Sequence, residues 1–116
     1  MRKTDVRLVL INCPDKRQAR RIGRALVQEG LAGAANVLPG VHSIFAWEGK
    51  VNEAAETLVI AKTTKARLAA LMARARALHG YKCPSILALA PTDVLPAYAA
   101  WLDRAVRGTA QVRRKA

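Results

Sequence analysis

Aromatic side chains are nearly missing from this chain. Two Trp, two Tyr and one Phe make up 4% of its 116 residues. Any core must therefore be packed from aliphatic side chains and alanine, and with 52% hydrophobic residues there are enough of them to fill one compact domain. Cysteine is as scarce: Cys13 and Cys83 are the whole set, which argues against a disulfide framework and for two reduced thiols. No apolar run reaches the length of a membrane-spanning helix, so no membrane partner is expected. The opening "MRKTDVRLVLINCPDK" has the basic start of a leader but lacks an A-x-A cleavage site. Its apolar run is β-branched and broken by Arg7, so it reads as a first strand and a cytoplasmic address is expected. CxxC, HExxH, zinc-finger and RNP-like patterns are all missing. Ser43 and Ser85 have no evident base beside them, and no nucleophile, base and orienting group come together, which points away from an enzyme.

Acidic residues are the other shortage. Eight carboxylates face twenty Lys and Arg, a net charge of +12. Arg17, Arg20, Arg21 and Arg24 recur at i, i+3, i+4 and i+7, opposite Ala19, Ile22 and Leu26, so one helix should be basic outside and apolar inside. The remaining charge is dispersed apart from the tail "VRRKA". Without a recognition motif, the stripe reads as a solvated helix face and a nucleic-acid partner is not expected.

Residues 6–13, "VRLVLINC", are apolar and β-branched, a buried strand. Pro14 and Asp15 open a helix that runs to about Glu29 and stops at Gly30. Two long extended stretches follow, joined by a turn at "EGK" and interrupted by Pro39-Gly40, where a bulge is expected. Along the first stretch Val41, Ser43, Phe45 and Trp47 share one side, and His42, Ile44 and Ala46 the other. Leu68, Leu71, Met72, Ala75 and Leu78 mark a helix over 64–78 that Gly80 ends. "SILALAP", 85–91, is a fourth strand, and a last helix carries Leu95, Tyr98, Leu102 and Val106 on one side. Residues 1–107 thus form one domain, and 108–116 a basic tail expected to fray.

The order β-α-β-β-α-β plus a helix is that of an α+β, ferredoxin-like sandwich with strand order 4-1-3-2. Its hairpin strands are long for so small a domain and apolar on both sides, so a homo-oligomer is expected. This strand order also bears on "LHGYKCPS", residues 78–85. The end of the first strand, with Cys13, lies beside the start of the fourth, with Cys83, and His79 is just upstream. Two thiolates and an imidazole at one corner would suit Cu(I) or Zn(II). The plainer alternative is a small apolar thiol at a strand end and a histidine bonded to nearby carbonyls.

The chain also resembles a known family. "CPDKRQARRIGRALVQEGLAGAANVLPGVHSIFAWEGKV", then "ETLVIAKTT", "LHGYKCPSILALAP" and "YAAWLDRAV", are similar to the CutA divalent-cation tolerance proteins over about residues 6–107. The resemblance implies a homotrimer with hairpins extending onto neighbours, clefts between subunits, no catalytic reaction, and copper or a similar ion bound through a strand-1 cysteine and a histidine matching His79. The family loop reads roughly H-P-Y-E-x-P-E. Here Gly80 replaces its proline, Lys82 stands where an acidic or polar residue is usual, and Ser85 replaces its last glutamate. Two carboxylates are gone, Cys83 shifts the preference toward soft ions, and Gly80 is expected to loosen the loop. Cys13, His79 and Cys83 are therefore the expected metal ligands. Trp47, Lys62, Tyr81, Lys82 and Trp101 are candidates for a ligand cleft, with packing between subunits as the alternative for the aromatics. Lys62 would meet an anion or pair with Glu48, while Glu53 and Glu56 read as solvated charge. The second functional reading is a trimeric signalling scaffold, like the PII proteins that share the fold, binding a small anionic metabolite between subunits.

Overall fold

The computed structural model describes residues 5–115, with side chains from 5 to 106. Strand β1 (Val6–Cys13) buries Val9, Ile11 and Cys13 completely on one face. Leu8, Leu10 and Asn12, on the other, are half-buried. Helix α1 (Lys16–Gln28) starts at Asp15, whose carboxylate accepts the Gln18 N–H at 2.8 Å. It ends at Gly30, whose φ of +72° a side chain would resist. Strands β2 (Ala34–Trp47) and β3 (Lys50–Thr64) form the long hairpin. Glu48 and Gly49 close it, both with positive φ (52° and 76°), the paired left-handed conformation that matches the twist of a two-residue hairpin. The expected bulge is present: the register shifts between Leu38 and Val41, with Gly40 at φ 81°.

Helix α2 (Lys65–Leu78) buries Leu71 and Ala75 and ends at the expected residue, Leu78, with His79 as its C-cap. Strand β4 (Ile86–Leu89) is four residues, not the seven of 85–91, because only Ile86 to Leu89 pair with β1. Helix α3 (Pro96–Lys115) closes the chain, and the expected fraying of 108–116 falls outside the residues whose side chains are described.

The four strands form one antiparallel sheet in the order β2-β3-β1-β4, as the sequence reading expects. Helices α1 and α2 cover one face. Ala19, Ile22, Leu26, Leu71 and Ala75 meet Val9, Ile11, Cys13, Val59 and Ala61 there in a single aliphatic core. Each larger side chain in it contributes roughly 1.5–3 kcal/mol by leaving water. Among the described residues the other face is covered only at one end, where Ala99 and Leu102 of α3 pack on Val6. Beyond them it is bare: Leu38, Leu87 and Leu89 stay 40%, 45% and 46% exposed.

Candidate functional site

The bulge in β2 decides what faces the open side of the sheet. Before it, Leu38 pairs with Leu58; after it, Val41 pairs with Glu56 and Ser43 with Ala54. An unbroken register would have put His42 where Ser43 now stands, because one inserted residue exchanges the faces of a strand. The bulge thus sets the Ser43 hydroxyl beside Glu56, and Asn12 approaches from β1 on the other flank.

Glu56 is 8% exposed and is the hub of the site. Tyr81 Oη donates to its Oε2 at 2.8 Å, Asn12 Nδ2 to its Oε1 at 3.2 Å, and Ser43 also hydrogen-bonds to it. Burial alone would push this carboxyl up, but the three hydrogen bonds outweigh it and hold the group below its ordinary range. The same pairing acts in reverse on Tyr81: burial first, then the bond to Glu56, pushes the phenol up to about 12. Glu56 is therefore not solvated charge, as its sequence position suggested. The available clue was its parity, since it shares a face with Leu58 and Ile60 inside an apolar strand.

His79 sits just below this cluster. Its Nδ1 accepts the Tyr81 N–H at 3.0 Å, so Nε2 carries the hydrogen and donates to the Asn12 carbonyl at 2.5 Å. Both ring nitrogens are in use, and the ring lies 4.8 Å from that of Tyr81. The loop is pinned from α1 as well. Arg21 Nη2 donates to the Leu78 carbonyl at 2.8 Å, and the Gly80 N–H donates to Gln18 Oε1 at 3.1 Å. A proline at position 80 would have no N–H to give. The glycine therefore ties the loop to α1, contrary to the loosening expected of it.

The two thiols reach the same corner of the sheet but not the same face. Cys13 is fully buried in the helix-side core, while Cys83 is exposed beside the groove on the open side. Burial, then the negative charges of Glu56 and Asp15, pushes the Cys13 thiol up to about 11, away from the thiolate a metal requires. Among the described residues no group of three His, Cys, Asp or Glu side chains could hold a metal ion. The sheet thus separates Cys13 from Cys83, two of the three expected ligands that the strand order brings to one corner.

A groove of about 670 Å³ opens over the cluster. Asn12, Ser43, Glu56 and Tyr81 form its polar floor, Phe45 and Trp47 an apolar wall, and Lys82, Cys83 and Ser85 its rim. Of the expected cleft residues, Trp47, Tyr81 and Lys82 are here. Trp101 is not: it stacks on Tyr98 in α3, ring centres 5.6 Å apart. Lys62 is half-buried farther along β3, opposite Leu8 and Ala34. Glu48 lies at the hairpin tip, about 40 Å away along the strand, so the two cannot pair within one chain. The exposed His42 pairs instead with Glu53 across the hairpin at 2.6 Å.

The fold and groove define a small two-layer α+β domain with one sheet face largely bare and a buried carboxylate at the foot of a long hairpin. The chain belongs to the CutA1 divalent ion tolerance protein family, whose pattern matches residues 7–105. It is 42% identical over 95 residues to a divalent-cation tolerance protein CutA of Thermus thermophilus, covering 82% of this chain and 92% of that one. It is 34% identical to a chloroplastic CutA of Arabidopsis thaliana over 86% of this chain, but spans only 55% of that longer relative. Among solved structures, CutA from Xylella fastidiosa superposes with a TM-score of 0.85 at 36% identity, covering 88% of this chain and 98% of that one. The Thermus thermophilus tolerance protein superposes with a TM-score of 0.81 at 41% identity, covering 84% and 94%.

Proposed function

We propose that the protein is a cytoplasmic, non-enzymatic homotrimer of ferredoxin-like subunits that binds a soft metal ion, copper or zinc, in the groove between neighbouring subunits. The observation that carries this reading is the groove itself. On one chain it is open, with an apolar wall of Phe45 and Trp47 and the accessible Cys83 thiol on its rim. Cys83 is the anchoring ligand in this proposal, and a neighbouring subunit supplies the rest of the donor set. Cys13 is too deeply buried to ligate, and His79 would first have to give up a hydrogen bond. The bare leucines beside the groove would be covered by the same neighbours, and two unpaired cysteines suit a reducing compartment. The divalent-cation tolerance named for the relatives supports the choice of ligand class.

Calorimetric titration of the reduced protein with Cu(I) and with Zn(II) tests the assignment. Cys83→Ser should weaken binding at least about tenfold, roughly 1.4 kcal/mol, and Cys13→Ser should leave it unchanged. Equal affinity in wild type and Cys83→Ser removes the metal from the groove. One observation favours a second reading. Lys82 stands on the rim, while the floor carboxylate is already bonded to three donors, so the groove's accessible charge is positive and an anionic metabolite would fit. A thermal-shift screen of nucleotides and organic anions separates the two, since only a bound ligand raises the melting temperature.

A further inference from the structure

The arginine stripe of α1 is only half of a larger surface. α1 and α2 lie side by side on the same face of the sheet, with their apolar sides in one core. Between them, residues 15–29 and 65–78 carry nine Lys and Arg against two carboxylates, Asp15 and Glu29. Both carboxylates are engaged: Asp15 caps α1, and Glu29 takes a two-pronged bond from Arg74 at 2.8 and 3.0 Å. Arg17, Arg20, Arg24, Lys65 and Arg76 are exposed. Among the described residues, Arg17, Arg20 and Arg24 meet no carboxylate. The sequence shows one basic stripe on α1; on α2 the cations flank a row of exposed alanines, Arg67 and Arg74 on the side toward α1 and Lys65 and Arg76 on the far side, so packing extends the basic surface across both edges of the second helix.

We propose that this helix layer is a docking surface for the phosphodiester backbone of duplex nucleic acid. A polyanion with a charge every 1.7 Å or so of its axis matches the guanidinium groups of Arg17, Arg20 and Arg24, each able to fork onto a phosphate. Two alternatives fit less well. A membrane surface would need apolar side chains beside the cations, but the exposed large hydrophobic residues all lie off α1 and α2, and the apolar side of α1 is in the core. A single strand would need aromatic platforms, and Phe45, Trp47, Tyr81 and Trp101 are all elsewhere. The layer lies on the face opposite the groove, so this inference stands apart from the proposed metal site.

Fluorescence anisotropy with a short labelled duplex, as RNA and as DNA, tests it at 50 and 200 mM salt. With about four phosphates engaged, affinity should fall roughly 100-fold between those concentrations. Arg20→Glu/Arg24→Glu should weaken binding at least about tenfold at low salt and flatten the slope by about two. Lys50→Glu/Arg104→Glu makes the same change in net charge at exposed positions off the layer and should leave binding within a few-fold. Should the first pair melt early, Arg20→Gln/Arg24→Gln removes the charge without reversing it and should lower affinity by an intermediate factor. Equal loss in the layer and control variants would reduce the effect to net charge and overturn the proposal. So would a shallow salt dependence, or tighter binding to phosphatidylserine vesicles or to a single strand than to the duplex.

Discussion

Cys13 and His79 show how far one residue's chemistry depends on which way it faces. Both stand at positions that would suit a soft-metal site, yet one points into the helix-side core and the other spends both ring nitrogens on neighbouring backbone. Cys13 makes a measurable prediction. Its folded-state value is raised from 9.0 to about 11, so the folded protein holds that proton more tightly than the unfolded chain does. The resulting stabilisation is fully present below about pH 9 and is lost as pH rises through about 11, a change of about 2–3 kcal/mol. Urea unfolding across that window should therefore show falling stability, and Cys13→Ala should fall less steeply. Parallel curves for the two proteins would show that this thiol does not titrate as argued. Glu56 acts at the acid end with the opposite sign. Its value is lowered, so its contribution is present above the ordinary carboxyl range and is lost as pH falls through the depressed value.

At the scale of elements, most of the chain was legible. β1, α1, the hairpin turn and the bulge lie where alternation, the Asp15 cap, Gly30, Gly49 and Pro39-Gly40 put them, because each rests on a local steric or hydrogen-bonding rule. The misses came where pairing decides: β4 shortened to the four residues that β1 can match. The seam between α3 and the start of β2 was also unreadable. A Cβ at Gly33 would lie 2.5 Å from Leu102 Cδ1 and 3.2 Å from Ala105 Cβ, and Leu102 is fully buried. Gly33→Ala should therefore displace α3 and cost about 1–3 kcal/mol. For a domain near 100 residues this is a fall of at least about 4 °C in melting temperature. An unchanged melting curve would mean that α3 yields without cost.

For the whole molecule, the bare sheet face is the dominant fact. Leu38, Leu87 and Leu89, with Phe45 and Trp47 of the hairpin, are each 40% to 49% exposed. An apolar surface of that kind on a small domain calls for a partner. In the trimer reading, light scattering after gel filtration gives three times 12.6 kDa. Leu87→Asp/Leu89→Asp should shift it to the mass of one chain, because charges buried at such a contact find no partner. A monomeric wild type at micromolar concentration would end the trimer reading and, with it, the shared groove.

The sequence by itself determined the element order, the basic stripe on α1, the bulge and the family likeness, since these follow from local geometry and from motifs along the chain. It also placed Tyr81, Lys82 and Cys83 in the right loop. Tertiary structure alone decided which face each strand residue occupies. A register shift of one residue put Ser43 beside Glu56, the sheet set Cys13 and Cys83 on opposite faces, and helix packing brought the cations of α2 alongside those of α1. The reason is that side-chain direction in a sheet depends on its partner's register, and a register is settled only when distant segments meet.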